Sequence, residues 1–235
     1  MKNIKDILFI TQARLESQRV PKKMTKTFCG TNLLHILINK IKKSKIIPLE
    51  NFYLSVCDKE LIDIAKEQDV NYFERSRESA LAENSVPLIY EWHDKLDFKY
   101  VCLISACNPL LSIDTIESFV NNYIISEKDG SFGVTAKKQY FWDESGNMTS
   151  HWPEEQKIMN TKTMSTTYEA AHCLYSSRMD IIKDGFWMDD NLPPKPELFV
   201  IENEIEVFDI DYDCQFEAAE KLYPAMREIM RGINK

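Results

Sequence analysis

Short apolar runs alternate along this chain with stretches whose apolar residues recur at helical spacing, and that rhythm limits the fold before any single residue is considered. The run that begins at Ile7 is too short to cross a membrane and reads as a buried strand. After it, Leu33, Leu34, Leu37, Ile38 and Ile41 form an apolar stripe on a helix over residues 32–43, capped by Thr31 or Asn32. Residues 52–57 read as a second strand, Asp58 as a cap, residues 59–67 as a return helix and residues 71–73 as a short third strand. Strand, helix, strand in this order builds a parallel sheet through right-handed crossovers. The expectation is an α/β chain forming one domain over residues 1–235, because 235 residues that are 44% hydrophobic supply one sizeable core.

The first strand opens directly into a loop carrying Arg14, Arg19, Lys22 and Lys23. Ser17 lies in it, but no glycine occurs before Gly30, so the loop is neither a Walker loop nor a dinucleotide fingerprint. Anion binding here rests on guanidinium, ammonium and backbone N–H groups, with Pro21 holding the turn that brings Lys23 back. Parallel sheets bind ligands at the carboxyl ends of their strands, which makes the loop a candidate phosphate site; a solvated basic loop ahead of a helix is the plain alternative. The formal charge of the whole chain is −8, so no nucleic-acid surface is expected, and a bound polyanion must sit in a locally basic pocket.

Residues 74–84, ERSRESALAEN, are polar and hold Arg75 and Arg77. A helix is expected over residues 86–96, with Trp92 and His93, then a strand over 100–105 that stops at Ala106-Cys107-Asn108-Pro109-Leu110-Leu111. A helix over 113–126 and a strand over 132–137 follow. Residues 140–168 depart from the rhythm: Phe141, Trp142, Trp152 and Tyr168 share no helical face, and a turn is expected at 143–147. Aromatic residues on an irregular excursion point to a surface covered by a partner subunit. Further strands are expected at 170–175, 198–202 and 206–211, then a final helix over 213–231, capped by Asp213, with Phe216, Ala219 and Leu222 turned inward.

The strand expected at 206–211, EVFDID, puts Asp209 and Asp211 on one face and Ile210 in the core. Two such carboxylates repel, whereas a hard dication makes the pair favourable, with a triphosphate supplying the remaining oxygens. An acidic helix start accounts equally well for Asp211 and Asp213, but leaves Asp209 without a reason. The six cysteines are irregularly spaced with no C-x-x-C pair, which fits a reduced, cytoplasmic setting. Thr11, Gln12 and Arg14 break the first apolar run before it can serve as a signal core, and no segment has the length of a membrane span.

Gln12-Ala13-Arg14, then Ser17, Arg19, Pro21 and Lys23, resemble the opening motif A-R-x-x-S-x-R-x-P-x-K of the CMP-acidic-sugar synthetases. These are the acylneuraminate and Kdo-type cytidylyltransferases, which transfer CMP from CTP to sialic acids, related nonulosonic acids and Kdo. F-D-I-D at residues 208–211 and F-x-x-A-E at residues 216–220 resemble the family's C-terminal motif, whose aspartates hold magnesium. The resemblance implies a Rossmann-like nucleotidyltransferase domain with a mostly parallel sheet, a dimerisation insert at 140–168 and a homodimer. It implies CTP and a small acidic acceptor as substrates, Mg2+ as cofactor, and a place in cell-surface glycan biosynthesis. Arg14, Lys23, Asp209 and Asp211 would carry catalysis, with both aspartates on the metal.

The resemblance further implies nucleotide contacts from Ala13, Arg14, Ser17, Arg19, Lys23 and Asn108, and from Arg77 and Ala82, which with Leu81 match the family's R-x-x-x-L-A stretch; Arg75 competes with Arg77 for that role. Acceptor contacts fall on Ser105, where the sialic-acid branch has a glutamine, and on Glu169 and His172. Glu169 stands where that branch has a carboxylate-binding arginine, so N-acetylneuraminic acid is expected to be a poor acceptor. The turn at 105–111 also lacks the aspartate of the Kdo branch. Rival readings are a cytidylyltransferase for a phosphorylated or phosphonate acceptor, a metal-dependent glycosyltransferase, and a silent nucleotide-binding subunit.

Overall fold

The computed structural model describes residues 1–150, 152, 157–182 and 195–233. Its strands are β1 (Ile7–Gln12), β2 (Phe52–Val56), β3 (Asn71–Glu74), β4 (Tyr100–Ile104), β5 (Ser131–Lys137), β6 (Thr167–Arg178) and β7 (Glu197–Val200). They form one sheet in the order β3-β2-β1-β4-β6-β5-β7. Four of the six neighbouring pairs are parallel, and β6 runs antiparallel to both β4 and β5. The mostly parallel α/β sheet read from the sequence is present, with β6 as its reversed strand.

β1 lies inside the parallel half, and its residues Ile7, Leu8, Phe9 and Ile10 are all fully buried. The two-residue period of the strand divides them between two cores. Ile7 and Phe9 pack with apolar residues of α1 (Leu33–Ile41), α2 (Lys59–Glu67) and α5 (Ile113–Ile125). Leu8 and Ile10 pack with Trp92, Val101 and Met179 on the other face, which is why the run is continuously apolar instead of alternating. Asn32 caps α1, its Oδ1 accepting the His35 N–H at 2.8 Å, and the His35 ring shares that oxygen. A third apolar cluster joins Val20, Phe28, Leu33, Ile36 and Ile210 to Phe216 and Ala219 of α6 (Asp213–Ile233). It fastens the basic loop and the late carboxylate segment to the same helix pair.

The structure corrects three local expectations. Residues 86–96 do not make one helix: α4 (Val86–Ile89), which follows α3 (Arg77–Leu81), ends at Tyr90, and a 3-10 turn, Glu91–Asp94, drops Trp92 into the core at 0% exposure. Residues 206–211 are no strand either. A 3-10 turn, Glu204–Val207, takes up their first two residues, and Glu206, Val207 and Ile210 bond to the turn after β4 instead of to a ladder. Leu222 is 40% exposed, because α6 turns Phe216, Ala219, Tyr223 and Met226 inward and residue 222 lies about 80° off the centre of that stripe.

β6 carries an irregularity opposite β5. Phe132 pairs with Tyr175 and Val134 with Ala170, so the single residue Gly133 spans residues 171–174 of β6. His172 occupies this bulge at φ 51°, a left-handed conformation costly for a side chain of its size. A Cβ at Gly133 would meet Ile201 Cδ1 at 3.0 Å, so the crossing tolerates little bulk there. Before β6, Trp142 bridges to Met148 across a turn with Gly146 at φ 81°, and Tyr140 sits between the rings of Trp142 and Trp152. Phe141, Trp142, Ile158, Met159 and Tyr168 of this excursion are exposed. No helix among the described residues is long and apolar enough to cross a membrane.

Candidate active site

The loop after β1 is fastened in two halves. In the first, the Ala13 N–H donates to Ser55 O at 3.1 Å, and the Ala13 carbonyl accepts from the Arg75 guanidinium at 3.0 Å. Asp58, at the cap position of α2, uses its carboxylate to accept the Leu15 N–H at 2.9 Å and makes no side-chain cap bond to its own helix. Arg14 donates to Ala80 O at 2.7 Å. Ser17 is half-buried, its N–H on Leu15 O.

In the second half, the Lys23 N–H closes onto Val20 O at 3.1 Å, with Pro21 at the first corner and Lys22 at φ 53° in the second, the pattern of a type II turn. The turn carries Lys23 back as expected. Its side chain is 11% exposed, and Nζ lies 2.5 Å from Ile210 O and 3.8 Å from Asp211 Oδ1. Arg19 is exposed, pairs with Asp211 Oδ1 at 2.6 Å and lies over the Tyr212 ring; the Tyr212 hydroxyl bond and then the Asp211 charge hold its pKa above the usual value. Lys26 pairs with Asp213 at 2.7 Å.

Basic loop and carboxylate pair therefore meet, beside the carboxyl ends of β1 and β4. Ile210 is fully buried and separates the two aspartates. Asp209 Oδ1 is buried without a hydrogen-bond partner among the described residues. Burial first, and the Asp211 charge second, push the Asp209 carboxyl above the ordinary carboxylate range, while Lys23 and His172 pull it back. A desolvated carboxylate beside another carboxylate is the state a cation relieves.

The remaining sequence-predicted residues fall at several places. Arg77 is exposed and paired with Glu16, whereas Arg75 is 6% exposed, with its Nε–H unpartnered among the described residues and its pKa lowered by burial. Ala82 ends α3 and is half-buried. Asn108 is 2% exposed and spends its Nδ2 on Val207 O at 3.2 Å, leaving Oδ1 unpartnered. Ser105 staples its own turn, its Oγ accepting the Cys107 N–H, and its own N–H donates to Cys173 O in the β6 bulge. His172 Nδ1 lies 2.7 Å from the Tyr175 hydroxyl. Glu169 sits opposite Thr135, is exposed, and has Lys137 Nζ at 3.5 Å.

Several contributors escaped the sequence reading. Gln215 accepts the N–H groups of Asp211 and Tyr212 at 2.7 and 2.8 Å, so α6 starts with a residue at its third position reaching back over its own start, and Asp213 is its first helical residue instead of its cap. A glutamine three positions after the cap is a readable signal for this. Tyr212 and Tyr175 gave none, since their roles come from tertiary contact alone.

Among the described residues no group of three or more His, Cys, Asp or Glu side chains forms a ready metal cage. Two carboxylates fit a hard dication that takes its other oxygens from a phosphate ligand and water, as Mg2+ usually does. The orphaned Asp209 oxygen is the observation that favours the fit.

No curated protein matches this sequence. Among solved structures, CMP:2-keto-3-deoxy-manno-octonic acid synthetase complexed with CTP superposes with a TM-score of 0.69 at 10% identity, over 93% of this chain and 98% of the other. A cytidylyltransferase from Leptospira borgpetersenii serovar Hardjo-bovis does so at 0.62 and 13%, over 97% and 95%. The 4-diphosphocytidyl-2C-methyl-D-erythritol synthase from Anaerococcus prevotii does so at 0.64 and 14%, over 93% and 97%. At these identities the superpositions establish the shared nucleotidyltransferase-like fold. A sequence profile of the cytidylyltransferase family matches residues 8–232, nearly the whole chain, and the protein belongs to that family.

Proposed function

We propose that this cytidylyltransferase transfers CMP from CTP to an acidic sugar of the nonulosonic or ulosonic class, releasing pyrophosphate. The observation that carries the reading is the meeting of Arg19 and Lys23 with Asp209 and Asp211 beside the carboxyl ends of β1 and β4, with Arg14 on the same loop donating to Ala80 O. A bond forms between an acceptor oxygen and the α-phosphorus, and the bond from that phosphorus to the bridging oxygen of the β-phosphate breaks. Arg14 and Lys23 neutralise the triphosphate and the charge growing on the leaving group. Asp209 and Asp211 would hold Mg2+, which when bound neutralises phosphate charge. Ala13, Ser17 and Arg19 complete the phosphate side; Arg77, Ala82 and Asn108 belong to the nucleoside side, with the buried Arg75 holding the Ala13 carbonyl in place.

The acceptor side of the proposal is Ser105, Glu169 and His172, with Tyr175 orienting the imidazole. Support comes from the β6 bulge, which spends backbone strain to present His172 on the side of Asp209. The exposed aromatic excursion at 140–168 is proposed as a dimerisation insert. Light scattering at micromolar concentration checks this: a fully active monomer rules it out.

The deciding experiment measures pyrophosphate released from CTP and Mg2+ with nonulosonic acids, Kdo, phosphorylated polyols and phosphonates as acceptors. Release with a keto-sugar acid supports the proposal. Release only with a phosphorylated or phosphonate acceptor replaces the acceptor class, and transfer from a supplied nucleotide sugar replaces the reaction.

A further inference from the structure

Asp209 stands on a segment that no strand ladder holds, so something else must fix its position. The segment is tied to the turn after β4 by side chains and single backbone bonds. The Ile210 N–H donates to Cys107 O at 3.1 Å, and Asn108 Nδ2 donates to Val207 O at 3.2 Å. Glu206 Oε2 accepts the Ser112 N–H at 2.9 Å, at the start of the thirteen-residue helix α5. From the other side, Lys40 of α1 donates to Pro109 O at 2.6 Å.

Glu206 is the costly member of this set. It is 5% exposed, and a carboxylate is rarely buried without a counter-charge. Lys40, on the neighbouring Pro109 carbonyl, is the nearby cation: burial lowers its pKa to about 7, and the Glu206 charge opposes that shift. The bonds of Glu206 to Ser112, of Asn108 to Val207, of Ile210 to Cys107 and of Lys40 to Pro109 close the turn, the start of α5 and the segment bearing Asp209 into one unit, which leaves that segment a single register against the turn.

We propose that Glu206, backed by Lys40, is a positioning residue for Asp209, holding the 206–211 segment and the 105–112 turn as one rigid piece so that Asp209 meets a divalent cation in a fixed place. This rests on the reading of Asp209 as a cation-binding carboxylate. Neither Glu206 nor Lys40 touches a reacting atom. Groups that orient a metal-binding side chain in this way typically govern about ten- to a hundredfold in metal affinity or activity.

Mn2+ binding to the full-length protein, followed by electron paramagnetic resonance without turnover, tests the proposal alongside steady-state kinetics. E206A is expected to weaken Mn2+ binding by about tenfold or more and to lower kcat comparably, while KM for CTP stays within about threefold. K40M should act in the same direction and K40R should restore most of the loss. E206Q, which keeps the shape and the acceptor for Ser112 N–H but loses the charge, covers the case in which E206A fails to fold. D209N is the control for the underlying reading. If D209N abolishes Mn2+ binding while E206Q and K40M leave it unchanged in folded protein, the positioning role is overturned and the assignment of Asp209 stands. If D209N itself leaves Mn2+ binding intact, the assignment of Asp209 and the positioning role fall together. Loss of thermal stability in the Glu206 and Lys40 variants at unchanged Mn2+ affinity also overturns the proposal, since it marks a purely structural pair.

Discussion

Arg14 and Arg19 belong to one loop but meet opposite surroundings. Arg14 gives its guanidinium to a neutral carbonyl, that of Ala80, whereas Arg19 and Lys23 share the carboxylate of Asp211 and Lys26 faces Asp213. The first half of the loop leaves its positive charge unpaired with an acid among the described residues, whereas the second half is already neutralised by the protein. A positive charge counted along a sequence is thus not the same as one available in a site, and on the proposed reading the second half serves a polyanion fully only when Asp211 turns to another cation, which would link phosphate binding to cation binding.

The strongest challenge to this contrast is removal of the acids. Asp209→Asn and Asp211→Asn are each expected to lower kcat by about a hundredfold or more with the fold intact. Near-normal turnover of both at saturating Mg2+ breaks the link between the two halves. Next in size, Arg14→Ala and Lys23→Ala should each raise KM for CTP by about tenfold, with acceptor KM little changed. Arg19→Ala should cost only about threefold, because its exposed pair with Asp211 contributes little. Equal effects of Arg14→Ala and Arg19→Ala on CTP would erase the distinction.

A smaller effect sharpens the comparison through pH. The folded-state pKa of Asp209 is raised, so in metal-free protein folding favours its protonated form. The stability this group contributes is gained as pH falls through that raised value toward the ordinary carboxylate range, and is lost as pH rises through it. Asp209→Asn should raise Tm near neutral pH and flatten that dependence; melting curves of both proteins across pH 4–8 check it, and parallel curves count against the burial argument. The smallest expected change is Glu169→Arg, which should shift acceptor preference by about threefold without altering CTP binding, since Glu169 is exposed and already faces Lys137. An unchanged acceptor profile removes Glu169 from the site.

The sequence carried the fold wherever one interaction range sufficed. Buried parallel strands are apolar throughout, and the α1 stripe with its Asn32 cap is a local pattern, so both were legible. The basic loop and its returning Lys23 were legible for the same reason, through Pro21. What escaped was tertiary. EVFDID has the composition of a strand, but Glu206 and Asn108 take its hydrogen-bonding groups to the turn after β4, and no period in the sequence reports an acid that turns inward to cap a distant helix. Trp92 likewise broke an expected helix because the second core needed a large ring more than α4 needed another turn.

The long reversed strand has a consequence of its own. β6 leaves the aromatic excursion at Thr167, makes its bulge at His172 and ends against β4 at Arg178, so the same twelve residues border the exposed aromatic surface and the proposed acceptor side of the site. On the proposed reading, acceptor choice and subunit contact are therefore not separately adjustable traits: a substitution in β6 that alters one alters the other, while the proposed CTP half, built from β1 to β4, varies independently.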